Sequence, residues 1–152
     1  MNRTRVVLFD DNKARRDSLQ MLISMYDDLE CVGMFENCVE VEKRISETKP
    51  DVVLMDIEMP VVNGLEGVSI IHQKFPHIAV IMQTVFEDDD KVFESLKSGA
   101  CGYILKKTAP EKVIDAIRDA REGGAPMTPA IAQRVLNYFV RKQPVVSHDY
   151  EI

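Results

Sequence analysis

No apolar run in this 152-residue chain approaches the roughly 18 residues that a bilayer-crossing helix needs. The start Met1-Asn2-Arg3-Thr4-Arg5 leads into a short strand-like run, not into the apolar centre of a signal peptide, so a cytoplasmic location with no membrane partner is expected. Cysteine is sparse: Cys31, Cys38 and Cys101 are odd in number, lie within or beside apolar segments and lack metal-type spacing, which excludes a disulfide framework or a zinc site and leaves free thiols. Positive charge is short as well. With 19 Lys and Arg against 25 Asp and Glu the formal net charge is -6, and because phosphate binding relies on clustered cations, any DNA contact needs sequence beyond this chain. There is no internal repeat and no low-complexity tract. No Gly-rich nucleotide loop follows the first apolar run, where Asp10-Asp11-Asn12 would repel phosphate unless a metal intervened.

What is present is the composition of one compact domain, 45% hydrophobic and 29% charged. Val6 to Phe9, Leu29 to Phe35, Val52 to Met55, Ile78 to Met82 and Gly102 to Leu105 read as five buried parallel strands. Between them Leu19, Leu22, Ile23 and Tyr26 form one helical stripe, Val41 and Ile45 a second, Val92 and Leu96 a third. The punctuation agrees: Asn37 stands three residues before Glu40 and Thr108 three before Glu111, both in the capping-box spacing, with Pro110 in the first turn and Gly99 and Gly123 where helices should stop. A further helix should start with Thr128 as N-cap and Pro129 at its first position, carrying Ile131, Val135 and Phe139. Alternation of this kind gives an α/β doubly wound sheet with helices on both faces. The flavodoxin-like order 2-1-3-4-5 is one common solution, which alternation alone does not fix.

Five polar residues stand at carboxyl ends of these strands and none at amino ends: Asp10 and Asp11 after the first, Asp56 after the third, Thr84 after the fourth, Lys106 after the fifth. Taken singly each is ordinary. An Asp-Asp pair after a strand is more often a solvated turn or helix cap than a ligand set, Lys106 a surface charge, Thr84 a capping hydroxyl, Asp56 a turn residue. Together they occupy the edge where α/β sheets keep their chemistry. Three carboxylates brought close repel by about 4 kcal/mol per pair at ~4 Å and an effective dielectric of about 20, so the cluster calls for a counter-cation. Mg²⁺, which takes carboxylate oxygens and keeps several waters, suits an open cluster of two or three Asp better than Ca²⁺ does. With the metal present Asp56 can act as a nucleophile toward a phosphoryl group, Lys106 neutralising developing charge and Thr84 donating a hydroxyl.

These residues, with Asp56-Ile57-Glu58-Met59-Pro60 followed by Asn63-Gly64 and with Gly99-Ala100-Cys101-Gly102-Tyr103-Ile104-Leu105-Lys106, resemble the receiver domain of bacterial two-component response regulators, of the LuxR/FixJ-like, NarL-type subfamily. The likeness covers roughly residues 3–124. It implies a CheY-like five-stranded parallel sheet in the order 2-1-3-4-5 with an additional C-terminal linker helix. It implies Asp56 as phosphorylation site, accepting its phosphoryl group from a sensor histidine kinase, with Thr84 and Lys106 as its catalytic partners. The implied Mg²⁺ ligands are Asp11 directly, Asp10 largely through water, Asp56, and the main-chain carbonyl of Glu58. Thr84 and Tyr103 are implied as a switch pair, the hydroxyl moving toward the new phosphoryl group and the ring turning into the space it leaves. On this likeness the chain is a stoichiometric switch and not an enzyme, with a homodimer on activation as a family-level expectation.

The same likeness divides the chain into a receiver at residues 1–124, a linker helix at 125–142 and a linker at 143–152 leading to a LuxR-type helix-turn-helix output domain absent from this chain, through which alone DNA would be bound. A departure is Val85, where the family often has a small residue, followed by Phe86 and the acidic run Glu87 to Asp90; a branched or aromatic neighbour there would restrict access to an acyl phosphate, and the acidic run suits a helix start. His72 and His77, flanking Phe75-Pro76 in a loop, and His148 read as solvated, while Met21, Met25, Met55 and Met82 read as core filling. Two other readings remain. One is a natural single-domain or phosphorylation-independent receiver acting by protein contacts. The other is a haloacid-dehalogenase-like phosphatase with Asp56 as nucleophile and Glu58 as acid/base, against which stand the place of Asp56 after the third strand and the lack of Asp at plus two.

Overall fold

The computed structural model describes residues 2–59 and 62–142. Strands β1 (Thr4–Phe9), β2 (Leu29–Phe35), β3 (Val52–Met55), β4 (Ala79–Thr84) and β5 (Gly102–Leu105) alternate with helices α1 (Lys13–Ser24), α2 (Val41–Thr48), α3 (Gly64–Lys74), α4 (Asp89–Lys97), α5 (Pro110–Arg121) and α6 (Pro129–Lys142). The sheet is parallel throughout, in the order β2-β1-β3-β4-β5, which is the doubly wound order expected. Both faces of its inner strands are covered, which is why they read as unbroken apolar runs and not as alternations. Val6, Leu8, Val52, Leu54, Ile81 and Ile104 pack with Leu19 and Ile23 of α1 and Val113, Ile114 and Ile117 of α5. Val7, Phe9, Val53, Met55, Val80 and Met82 face the other way, toward Val41 and Ile45, Val68 and Ile71, Val92, and Ile131 of α6. No helix among the described residues is long and apolar enough to cross a membrane.

The structure departs from the pattern of the sequence at several points. Asn37 does not cap α2: its side chain accepts from the Val39 amide in a tight turn and from the Arg44 guanidinium, and the helix starts at Val41 after Glu40 in a left-handed conformation with φ 56°. Thr108 does not cap α5 either. The helix starts one step later, with Ala109 before Pro110, and the Thr108 hydroxyl is buried without a hydrogen-bond partner. Met21 and Met25, 68% and 71% exposed, lie on the outer side of the first helix, not in the core, because Leu19 and Ile23 already supply its inward stripe; Met55 and Met82 are fully buried. His72 sits in the last turn of α3 and not in a loop, though exposed as read. Gly99, at φ 114°, follows α4 as a stop signal should. Pro60, His148 and the segment 143–152 lie outside the described residues.

The region after α5 does more than connect. The Tyr103 amide donates to the Pro126 carbonyl at 3.0 Å, the Thr128 amide to the Tyr103 carbonyl at 3.4 Å, and Tyr103 and Met127 form a parallel bridge. Residues 126–128 thus cover the free edge of β5, an edge that would otherwise offer unpaired backbone groups. The approach requires Gly102, where a Cβ would lie 2.4 Å from the Pro126 carbonyl oxygen. Thr128 stands at the N-cap position of α6 as expected, its carbonyl accepting from the Ala132 amide at 2.9 Å, while its hydroxyl accepts from the Leu105 amide at 3.3 Å. The helix then returns across α4, with Ile131 buried in the core, Tyr138 stacked on Phe93 at 3.7 Å between ring centroids, and Arg134 paired with Asp89 at 3.2 Å.

Candidate functional site

Each polar residue singled out at a strand end reaches the same edge because the parallel register aligns the strand termini: Phe9 pairs with Met55, Met55 with Met82 and Thr84 with Leu105. Asp10 and Asp56 therefore follow directly on neighbouring strands, the Asp56 amide donating to the Phe9 carbonyl at 2.9 Å. Asp10, Asp11 and Asp56 each offer an oxygen within 4.8 Å of the others, Asp10 and Asp56 buried and Asp11 exposed. Lys106 enters from beyond β5, its Nζ 2.9 Å from Asp56 Oδ2 and 3.4 Å from Asp10 Oδ2.

The loop after Asp56 is held by a backbone contact. The Gly64 amide donates to the Ile57 carbonyl at 2.7 Å, and a Cβ on Gly64 would lie 1.9 Å from the Asp56 carbonyl oxygen, so this position must be glycine for the loop to close. Asn63 caps α3 by accepting from the Glu66 amide. Glu58 is exposed and contributes no side chain to the carboxylate group.

Thr84 is buried, its hydroxyl accepting from the Phe86 amide at 3.2 Å, while the Phe86 carbonyl accepts from the Tyr103 hydroxyl at 3.0 Å. Phe86 thus joins the two residues expected to act as a pair, through its backbone. The Tyr103 ring is fully buried and already fills the interior. Val85 is 69% exposed, and Asp88 caps α4 with Asp89 and Asp90 in its first turn, as the acidic run suggested.

Burial pushes the Asp56 carboxyl above its ordinary range; the hydrogen bond and charge of Lys106 draw it back, and Asp10 and Asp11 push it further up. Burial likewise raises the Tyr103 hydroxyl, with Asp88 adding to the effect. The site is thus short of positive charge. Its hard oxygen donors, open on the Asp11 side, fit a divalent cation such as Mg²⁺.

One residue escaped the reading of the sequence. Arg15, half-buried on α1, places its Nε 3.6 Å from Asp10 Oδ2. The signal was there: Lys13, Arg15 and Arg16 fill the first turn of a helix that has no acidic residue in that turn, where the helix dipole disfavours cations. Arg16 donates to the Asp10 carbonyl at 2.7 Å, so the basic turn is answered by the acidic pair before it.

Residues 6–118 match the family of response regulator receiver domains. The chain is 32% identical over 139 residues to the transcriptional regulatory protein LnrK of Bacillus subtilis (strain 168), covering 91% of this chain and 63% of that protein. It is 32% identical over 137 residues to the oxygen regulatory protein NreC of Staphylococcus carnosus (strain TM300), covering 90% and 63%. The crystal structure of a two-component response regulator of the LuxR family from Aurantimonas sp. SI85-9A1 aligns with a TM-score of 0.84 at 27% identity, over 91% of this chain and 99% of that one. The chain spans 63% of the length of these two curated relatives.

Proposed function

The chain belongs to the family of response regulator receiver domains of two-component systems, and from that premise we propose that Asp56 accepts a phosphoryl group from a sensor histidine kinase. The observation that carries this is the grouping of Asp56 with Asp10, Asp11 and Lys106 at one sheet edge. In the transfer an Asp56 carboxylate oxygen forms a bond to phosphorus as the bond from phosphorus to the donor's imidazole nitrogen breaks. Lys106, bonded to Asp56 before reaction, stays beside the same oxygen and meets the incoming equatorial oxygens. Asp10, Asp11, Asp56 and the main chain of Glu58 would hold Mg²⁺, which offsets the charge that would otherwise keep two anions apart.

Thr84 can turn its hydroxyl to donate to a phosphoryl oxygen and give up accepting from the Phe86 amide. That exchange frees the Phe86 backbone, whose carbonyl is held by Tyr103, and so carries the change to the β5 edge and α6. Phosphorylation shifts the balance only by its different interaction with the two arrangements. A stable acyl phosphate makes the chain a switch and not a turnover enzyme. Control of transcription through a DNA-binding output region extends the proposal to the whole protein, in line with the transcriptional regulatory protein among its relatives, and pairing of two copies on activation extends it further. The exposed Glu58 side chain, outside the carboxylate group, does not favour the phosphatase reading.

The test is intact mass after incubation with acetyl phosphate and Mg²⁺. A single phosphoryl adduct that disappears in Asp56→Asn and in chelator supports the proposal; an adduct retained in Asp56→Asn, or none on folded protein, contradicts it.

A further inference from the structure

Asp10 has one oxygen committed and one contested. Its Oδ1 accepts from the Asn12 amide at 2.9 Å, while Oδ2 faces two cations, Lys106 at 3.4 Å and Arg15 at 3.6 Å. Lys106 is nearer to Asp56, at 2.9 Å. Arg15 is less well served: its Nε is buried and makes no hydrogen bond, burial lowers its pKa by more than the charges of Asp10 and Asp56 raise it, and it occupies the helix end that disfavours cations. A guanidinium held there without a hydrogen bond at Nε is kept by the charge of the carboxylates.

We infer that Arg15 is a resident counter-cation of Asp10 that competes with Mg²⁺ for the negative charge of this pocket, so that Arg15 sets its affinity for metal. The inference rests on the reading of the pocket as an Mg²⁺ site. Without metal, the three carboxylates are partly balanced by Arg15 and Lys106, and the fold tolerates their proximity. When a divalent cation enters, the guanidinium and the metal repel across the same carboxylates, so the guanidinium swings outward along the exposed side of α1, where its long side chain finds water.

Calorimetric Mg²⁺ binding and thermal midpoints, with chelator and with saturating Mg²⁺, would be compared for the unaltered chain, Arg15→Gln and Arg15→Lys. Arg15→Gln should bind Mg²⁺ roughly tenfold more tightly, with Arg15→Lys between the two. Its midpoint should fall in chelator and recover with Mg²⁺, giving a larger metal-induced rise; a merely structural arginine would lower both midpoints alike. Binding by Arg15→Gln alone, with none in the unaltered chain, would support the inference most strongly. Affinity unchanged within about twofold, or weakened, overturns it while leaving the Mg²⁺ site standing, whereas absence of binding in all three chains overturns both.

Discussion

On the side of the sheet covered by α1 and α5, the hydrophobic cluster runs from Leu19 and Ile23 to Ile114 and Ile117. On the other side the core includes Tyr103, whose hydroxyl reaches the Phe86 carbonyl and whose backbone pairs with residues 126–128, next to Ile131 of α6. Both sides stem from the same five strands and are equally well buried. They differ in what a change of charge at Asp56 can act on. Apolar packing has no partner to exchange, so the α1 and α5 side holds the strands in register and so holds the carboxylates together. The side with Tyr103 has hydrogen bonds that can be traded, from Thr84 through Phe86 to Tyr103, and a helix docked by Ile131, one stacked ring pair and an ion pair.

The largest test of that contrast removes the cation at the edge. Lys106→Ala should slow phosphorylation by acetyl phosphate on the order of 10²–10³-fold, the scale of losing one charged contact to a transition state, measured by the rate of adduct appearance. Next, Ile114→Ala should cost about 2–5 kcal/mol of stability by leaving a cavity on the apolar side, seen in urea unfolding, while the phosphorylation rate of the folded fraction stays unchanged. Tyr103→Phe should cost about 1–2 kcal/mol, because the Phe86 carbonyl loses its buried donor, and unlike Ile114→Ala it should weaken the response of α6 to phosphorylation.

Smaller effects separate charge from packing. Because burial raises the Asp56 pKa above the ordinary 3.8, its contribution to the metal-free fold is most favourable below that value and is lost as pH rises through the raised one. Asp56→Asn should therefore raise the thermal midpoint at neutral pH in chelator, with the gain vanishing in acid. Arg134→Ala should cost only about 0.2–1 kcal/mol, as exposed ion pairs do. If it cost as much as Ile114→Ala, the docking of α6 would rest on the ion pair more than on Ile131 and the stacked rings.

Much of this was legible in the chain. Strand limits such as Val52 to Met55 were read to the residue because buried parallel strands leave uninterrupted apolar runs, and the positions of Asp10, Asp11, Asp56, Thr84 and Lys106 followed from where those runs end. Helix starts were harder: Asn37 and Thr108 have the right spacing, yet their side chains settle elsewhere, one in a turn and one in the interior. Met21 and Met25 could not be placed by hydrophobicity alone, since the stripe of α1 was already complete. The closing of the β5 edge by residues 126–128 has no periodic signal at all, being three residues long; only the need for Gly102 beside Pro126 marks it. Arg15 was hidden because a cation in a first helical turn looks like an ordinary solvated charge until the carboxylates it faces are brought together by the fold.

Amide hydrogen exchange with and without stoichiometric phosphorylation tests the central contrast most directly. Changed protection is expected at residues 84–97, at Tyr103 and through residues 126–138, with Ile114 to Ala120 of α5 unaltered. Equal change on both sides of the sheet, or none despite a complete adduct on Asp56, would contradict that contrast.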